Sequence, residues 1–219
     1  LLFAFIIGTS VGIIAALKQN TIFDYIVMVI TLVGVSMPIF WLGIIMIIIF
    51  SGTLHWLPSS GQIDPLLRPD TVTGFTLLDC IITGNWEGAA DTLKHMVLPA
   101  VTLSLYSMAI ITRITRTSML DSMHQDYVRT ARAKGLREKT VINKHVLRTS
   151  LNPVVTVIGL QFGSLLGGAV LTETVYSWPG IGSYIVNCVM KSDFPVVQGA
   201  VLMIATIYVL VNLLVDIIY

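Results

Sequence analysis

Long apolar stretches separated by short polar segments dominate the chain. A helix needs about 20 apolar residues to cross the hydrocarbon core of a bilayer. Five stretches approach that length: residues 1–17, 25–50, 96–111, 153–171 and 197–219. Pro38 interrupts the second stretch, and we expect the third to continue as helix through Arg113 and Arg116, whose long side chains can snorkel to the interface. The pattern predicts an all-α, polytopic membrane bundle with five spans.

Composition excludes a water-soluble fold. The chain has 219 residues, of which 55% are hydrophobic and 11% are charged, whereas soluble domains carry about 25% charged residues. A shorter apolar run at 181–190 is too brief to span, and we interpret it as an interfacial or re-entrant helix. The chain begins without Met and ends inside an apolar run, so we expect a fragment that lacks material at both ends.

The distribution of charge predicts the orientation of the spans. Nine of the 13 Lys and Arg residues lie between Arg113 and Arg148, whereas segment 51–95 has two basic residues and five acids. Cytoplasmic loops are enriched in Lys and Arg. We therefore expect 113–152 to be a cytoplasmic loop, and 51–95 and 172–196 to be extracytoplasmic loops.

The cytoplasmic segment contains the dense cationic stretch DYVRTARAKGL, which begins at Asp126. Asp121 and Asp126 are candidate helix caps, residues 127–134 favour a helix, and Gly135 is suited to end it in a left-handed conformation. Residues 136–151 predict a second helix, after which Asn152-Pro153 marks the start of the next span. A short surface helix could dock a soluble partner, or its charges could only fix orientation or bind anionic lipid.

The fourth span carries small and polar residues that suggest packing. Its three glycines, spaced four apart, are Gly159, Gly163 and Gly167. Glycines at this spacing share a helix face and let another helix approach closely. Gly8 and Gly12 form a weaker version in the first span. Gln161 would line a pathway or form a hydrogen bond between helices.

The stretch ETVYSWPGIG follows the fourth span. The aromatic and turn residues that we select from it are Glu173, Tyr176, Trp178, Pro179 and Gly180. We predict a turn and then a short helix over the outer mouth, where a gate or a binding-protein contact would lie. An ordinary belt of interfacial aromatic residues is the alternative.

Chemistry-bearing motifs are sparse. The chain has no G-x-x-x-x-G-K-[ST] sequence for binding nucleotide phosphates, and its four histidines are scattered. Cys80 and Cys188 lie far apart and are interpreted as unpaired. We predict no metal site, no bound cofactor and no catalytic residues.

Several motifs together resemble a known family. The stretch RTARAKG resembles the E-A-A-x-x-x-G signature of ABC importer membrane subunits, with Arg129 and Thr130 in place of Glu and the first Ala. YVRTARAKGL, ETVYSWPGIG, DFPVVQGAVL and YVLVNLLVDIIY resemble the dipeptide and oligopeptide permeases. The resemblance covers nearly the whole chain, and it implies one permease domain, 1–219, of the type I importer kind with six spans in a complete chain. Importers of this kind have two membrane subunits, and the resemblance implies that this chain is the first of them.

The resemblance also implies a mechanism and partners. A cytoplasmic coupling helix would insert into a cleft of the ATPase, and the coupling residues would be Asp126, Tyr127, Arg129, Thr130, Ala131, Arg132, Ala133, Lys134, Gly135 and Leu136. The alanines would allow close approach, and Arg129, Arg132 and Lys134 would contact acidic or carbonyl groups.

The expected partners are a second permease subunit, two ATPase subunits that hold ATP and Mg, an extracytoplasmic binding protein and membrane lipid, with no nucleic acid. The implied location is the inner membrane of a bacterium or archaeon. Peptide is the expected substrate, and nickel complexes, glutathione or opines are alternatives. A self-sufficient channel or secondary carrier is a distant alternative, because the spans contain almost no ionisable residues.

Overall fold

The computed structural model describes residues 1–165, 169–214 and 217, and this part of the chain is helical with no β-strand. Within the described residues the α-helices are α1 (Leu2–Leu17), α2 (Ile22–Ser36), α3 (Ile39–Met46), α4 (Thr76–Ile82), α5 (Trp86–Met123), α6 (Asp126–Ala133), α7 (Glu138–Thr140), α8 (Leu147–Val175), α9 (Ile181–Met190) and α10 (Phe194–Ile218). Two π-helical segments, Ile47–Thr53 and Val141–Val146, follow α3 and α7. The all-α prediction is confirmed, and α9 matches the predicted short helix.

Helix length and apolar character identify membrane spans among the described residues. Two helices, Trp86–Met123 and Phe194–Leu214, are long and apolar enough to cross a bilayer. Two more spans arise if each of two broken helix pairs is taken as one, and α1, with 16 residues, is shorter than a usual span. The predicted interruption of the second stretch is confirmed, because α2 ends at Ser36 and α3 begins after Pro38. The count of five spans stays a prediction.

The predicted boundaries of the cytoplasmic segment require correction. Asp121 lies inside α5, which continues to Met123, so it does not cap a helix. Gln125 is the N-cap of α6 and makes no side-chain cap bond, whereas Asp126 is the first residue of the helix. There its negative charge interacts favourably with the positive end of the helix dipole, although its side chain makes no capping hydrogen bond. Pro153 lies inside α8 and does not begin it, since a membrane helix tolerates the loss of one amide donor.

The chain folds into two compact units, each made of segments that are distant in sequence. The first consists of Leu1–Ser36, Ser104–Ser164 and Ile207–Tyr219, and the second of Met37–Leu103 and Leu165–Thr206. The helices α5, α8 and α10 contribute residues to both.

In the first unit, α1 packs directly on α5. A Cβ at Gly12 would lie 2.7 Å from the carbonyl oxygen of Thr112 and 2.7 Å from the Cβ of Thr115. One turn earlier, a Cβ at Gly8 would lie 3.0 Å from the carbonyl oxygen of Met108. These separations leave no room for a side chain, so the two glycines let the helix backbones approach.

In the second unit, the hydroxyl of Tyr176 lies in a buried polar cluster. It donates to the carbonyl oxygen of Gly43 at 3.2 Å and shares a hydrogen bond of 2.8 Å with the hydroxyl of Thr102. Tyr176 is only 2% exposed. The alternative interpretation of Tyr176 as an interfacial belt residue is therefore wrong, because its phenol ring fills the core and its hydroxyl has buried partners.

Candidate coupling site and outer pocket

The amphipathic helix α6 has one buried face and one charged face. Val128 and Ala131, spaced three residues apart, are 0% and 6% exposed, whereas Arg129 and Lys134 are exposed. Residues three apart lie on the same side of a helix. The sequence therefore buries two small apolar side chains and directs the cationic ones outward.

The buried face of α6 belongs to an apolar cluster in the first unit, which we call the anchor cluster. Its members are Ala16, Met119, Val128, Ala131, Val141 and Val146. These residues come from α1, α5, α6 and the π-helical segment 141–146, so α6 is attached to the ends of α1 and α5. Burial of this apolar surface away from water stabilises the attachment.

The anchor cluster changes the interpretation of two residues. The sequence suggests that Ala131 allows close approach of the ATPase, but its side chain faces its own chain and is buried. Val128 is absent from the residues selected by sequence, although it is fully buried and central to the attachment. The spacing of three residues between Val128 and Ala131 predicts that both lie on one apolar face of the helix. The cationic residues around them drew the interpretation toward a charged surface instead.

Gly135 ends α6 in the manner predicted. Its φ is +75°, the left-handed region in which glycine has no Cβ penalty. Its amide donates to the carbonyl oxygen of Arg132 at 2.9 Å, and the amide of Leu136 donates to the carbonyl oxygen of Ala131 at 3.4 Å. This pair of bonds is the Schellman motif. The predicted helix end is confirmed, whereas its role in coupling stays a prediction.

An ion pair crosses the turn after α6. The Nε and Nη2 atoms of Arg132 donate to Glu138 at 3.1 and 2.6 Å. The hydrogen bond from Arg132 lowers the pKa of the Glu138 carboxyl below its ordinary value. Arg132 is therefore held by its own chain, and Arg129 and Lys134 are the cationic groups of α6 that are most open to a partner.

We predict a small, pH-dependent effect of replacing Glu138. Because its pKa is lowered on folding, the pair stabilises the turn above the ordinary carboxyl pKa and this contribution is lost as pH falls through the lowered value. Both side chains are about half exposed, so Glu138→Gln should cost less than about 1 kcal/mol. Hydrogen exchange of the peptide 132–141 should be faster in the variant at neutral pH and equal to wild type below the lowered pKa. Asp121→Asn, at an exposed acid of α5, is the control. Equal exchange of the Glu138 variant and wild type at neutral pH would contradict the prediction.

The end of α8 and the start of α9 form the outer pocket, all in the second unit. A cavity of about 390 Å³ is lined by Glu173, Thr174, Ser177, Trp178, Pro179, Ser183, Val186 and Asn187. Glu173, predicted to lie outside the span, is in the last turn of α8, and its carboxylate accepts the amide of Ser183 at 2.8 Å. A Cβ at Gly180 would overlap the Glu173 carboxylate. Glycine at 180 thus lets the carboxylate approach the N-terminus of α9, where negative charge is favourable.

Trp178 and Pro179 line several cavities of the second unit. Trp178 is half-buried and lines the outer pocket and two others, of about 250 and 400 Å³. The carbonyl of Pro179 accepts a hydrogen bond of 3.3 Å from the side-chain amide of Gln62. Three of the five predicted residues, Glu173, Trp178 and Pro179, thus line one pocket, whereas Gly180 packs against the Glu173 carboxylate and Tyr176 lies in the core. Their role as an outer gate stays a prediction.

We predict a moderate loss of stability from Tyr176→Phe. The change removes the hydroxyl that is hydrogen-bonded to Thr102 and Gly43. The buried Thr102 hydroxyl and Gly43 carbonyl each lose one hydrogen bond. The expected cost is about 1–3 kcal/mol, measured as a lower melting temperature of the purified complex. Tyr184→Phe, at a tyrosine that is 56% exposed, is the matched control. Equal melting temperatures of the two variants would contradict this account.

The glycines and the glutamine predicted to pack in the fourth span differ in their surroundings. Gly163 is buried, and a Cβ there would overlap the ring of Tyr208, so α8 and α10 approach closely at this point of the first unit. Gly159 is also buried, and Gly167 lies outside the described residues. The Nε2 atom of Gln161, which is 7% exposed, has no hydrogen-bond partner among the described residues. An unpaired buried amide is unusual, so Gln161 remains a pathway candidate.

Two described helices of membrane-crossing length, and an amphipathic helix attached to the ends of α1 and α5, define a polytopic membrane protein with a structured polar face. Comparison with known families is consistent with this class. The model of the binding-protein-dependent transport system inner membrane component matches residues 8–219. The chain belongs to this family and is a multi-pass membrane protein.

Several curated relatives match the entire chain. It is 50% identical over 219 residues to the dipeptide transport system permease protein DppB of Alkalihalophilus pseudofirmus, and covers 66% of that protein. It is 48% identical to the di/tripeptide transport system permease protein DppB of Pseudomonas aeruginosa, and covers 65% of it. It is 47% identical to the dipeptide transport system permease protein DppB of Escherichia coli, and covers 66%. The chain thus spans about two thirds of the length of these relatives.

Proposed function

We propose that the chain is a permease subunit of an ATP-driven importer that forms half of a translocation pathway for peptides. ATP and Mg are held by two separate ATPase subunits, a second permease subunit supplies the other half, and an extracytoplasmic binding protein delivers the substrate. The observation that carries the proposal is the attachment of α6. Its apolar face is fixed in the anchor cluster and its cationic face is exposed to a partner.

The attachment of α6 suits mechanical coupling. A knob that transmits force needs a rigid connection to the helices that it moves, and the anchor cluster joins α6 to α1 and α5. Protein interiors transmit strain because they are densely packed. ATP favours the closed ATPase dimer, and that preference is the differential affinity through which a ligand shifts a conformational equilibrium. Closure would then draw the coupling helices of the two permease subunits together.

Peptide is the substrate that the relatives favour. All three relatives named above are described as dipeptide or di/tripeptide permeases. Reconstitution of the complex with its ATPases, second permease and binding protein should give uptake of a labelled dipeptide that requires ATP. Competition by unlabelled glutathione, an opine or a nickel complex tests the alternatives. Uptake that is independent of ATP would contradict the proposal and favour a secondary carrier.

The orientation of the chain has a separate test. In a background with Cys80 and Cys188 replaced by Ser, Lys134→Cys should react with a membrane-impermeant maleimide in inside-out vesicles and not in intact spheroplasts. Leu66→Cys is the matched control, because Leu66 is 91% exposed and lies in the loop expected on the opposite side. Labelling of Lys134→Cys from outside would reverse the orientation and exclude α6 as the coupling helix.

A further inference from the structure

An ion pair in the first unit joins the start of α2 to α5. The Nε and Nη2 atoms of Arg116 donate to the Oδ1 and Oδ2 atoms of Asp24 at 2.5 and 2.7 Å. Two parallel bonds of this kind fix the relative orientation of both groups as well as their distance. Asp24 is 1% exposed and Arg116 is 20% exposed at its side chain. The helix continues through Arg116 as expected, and the guanidinium there is paired with Asp24; its snorkelling to the interface stays a prediction.

The turn between α1 and α2 is built around the same carboxylate. The amide of Asn20 donates to Oδ2 of Asp24 at 3.1 Å, with Asn20 in the left-handed region at φ +61°. The hydroxyl of Thr21 accepts from the amide of Asp24 at 3.5 Å and donates to the carbonyl oxygen of Lys18 at 2.6 Å. A threonine that caps the amide of an acid three residues later is a helix-start signature. The carboxylate is therefore held by its own turn and by Arg116 together.

The two members of this pair differ in what their loss costs. Removing Arg116 would leave the Asp24 carboxylate buried without its partner, which is strongly destabilising, whereas Arg116 is 20% exposed and keeps access to solvent when Asp24 is replaced. The complete pair is roughly neutral against an apolar replacement. The presence of Asp24 and Arg116 thus calls for a reason other than the net strength of the pair. Specifying one geometry is the use of buried ion pairs that is best supported.

The position of Arg116 along α5 suggests that reason. Thr115 contacts Gly12 of α1, and Met119, three residues after Arg116, belongs to the anchor cluster with Val128 of α6. The segment of α5 that supports the coupling helix is therefore packed on α1 and bonded to α2 at the same level. Resting on the proposed function, we infer that Asp24 and Arg116 are positioning residues that make the α1–α2 turn and α6 move as one body when the ATPase closes.

Transport per ATP hydrolysed tests this inference. In the reconstituted complex, Asp24→Asn should lower ATP-driven uptake by about tenfold, as expected for disrupted coupling, while ATPase activity stays within about twofold. Asp24→Glu, which keeps a carboxylate for Arg116, should retain most of the uptake. Asp121→Asn, at an exposed acid of α5, is the matched control and should behave as wild type. Unchanged uptake in Asp24→Asn, or parallel loss of uptake, ATPase activity and assembled complex, would overturn the inference.

A distance measurement separates this inference from the proposed function. Spin labels at Gln19 and Gln125, both exposed, in a background without Cys80 and Cys188, report the separation of the α1–α2 turn and the start of α6. We expect one narrow distance distribution that is the same without nucleotide and with ATP trapped, and a broad one in Asp24→Asn. A broad or nucleotide-dependent distribution in the otherwise unsubstituted protein would overturn the inference. Failure of the proposed function would appear instead as absence of ATP-driven uptake in the wild-type complex.

Discussion

Gly135→Pro should nearly abolish ATP-driven uptake while the complex still assembles. Proline fixes φ near −65° and has no amide hydrogen, whereas Gly135 has φ +75° and donates to the carbonyl oxygen of Arg132 at 2.9 Å. The backbone strain is worth about 1–3 kcal/mol and the lost hydrogen bond about 1 kcal/mol. Because α6 is attached through one cluster and this turn, the change should reorient its exposed face. The measurement is initial uptake per assembled complex. A combined cost of about 3 kcal/mol for strain and the lost hydrogen bond corresponds to a loss of about a hundredfold.

Two further substitutions at Gly135 show whether the backbone conformation is the cause. Asparagine enters the left-handed region more readily than other residues with a side chain, and a Cβ at position 135 would meet no atom within 4 Å. Gly135→Asn should therefore retain most of the uptake, and Gly135→Val should lie near the proline variant, because a β-branched side chain disfavours positive φ. If Gly135→Pro and Gly135→Asn transport equally well, the turn does not position the coupling helix.

Local features of the coupling segment are predictable from the sequence. The helix at 127–134 and the glycine that ends it depend on residues within one turn of each other, and the structure has both. The short helix at 181–190 is also predictable, because polar and turn residues bound its apolar run. Where a prediction requires only neighbouring residues, elementary propensities are sufficient.

Features that depend on distant residues are not predictable in this way. Asp24 and Arg116 are 92 positions apart, and a single sequence gives no indication that they meet. Tyr176 has the residue type of an interfacial aromatic, and only its contacts with Thr102 and Gly43 show that it belongs to the core. Ala131 similarly has a small side chain suited to close approach, but the sequence does not say to which surface. Residue type indicates what each side chain could do, and tertiary packing decides its partner.

The close helix contacts illustrate the same limit. By number and regular spacing, the glycines of the fourth span predict a closer approach than those of the first span. The structure shows a close approach in both spans, because a Cβ at Gly163 would overlap the ring of Tyr208 and a Cβ at Gly12 would lie against a backbone carbonyl of α5. The glycines therefore indicate that another helix approaches, whereas tertiary packing decides which atoms each glycine faces.

Gly12→Leu should prevent stable packing of α1 on α5. A Cβ at this position would lie 2.7 Å from the carbonyl oxygen of Thr112, and the remaining side-chain atoms require still more space. Overpacking of this kind costs about 1–3 kcal/mol where side chains can adjust, and more is expected here because the obstructing atom is backbone. Ala16 follows Gly12 by one turn and belongs to the anchor cluster, so displacement of α1 would also loosen α6. Yield and melting temperature of the detergent-purified complex should both fall sharply.

Gly199→Leu provides the matched control for this change. Gly199 lies in α10, is exposed, and a Cβ there would have no atom within 4 Å. Both substitutions add the same apolar side chain to an apolar helix, so they alter membrane insertion alike and differ in the space available. Gly199→Leu should give wild-type yield and melting temperature. If Gly12→Leu matches it in both measurements, α1 does not depend on a close approach to α5. The contact between α1 and α5 would then not explain how α1 could move together with α6.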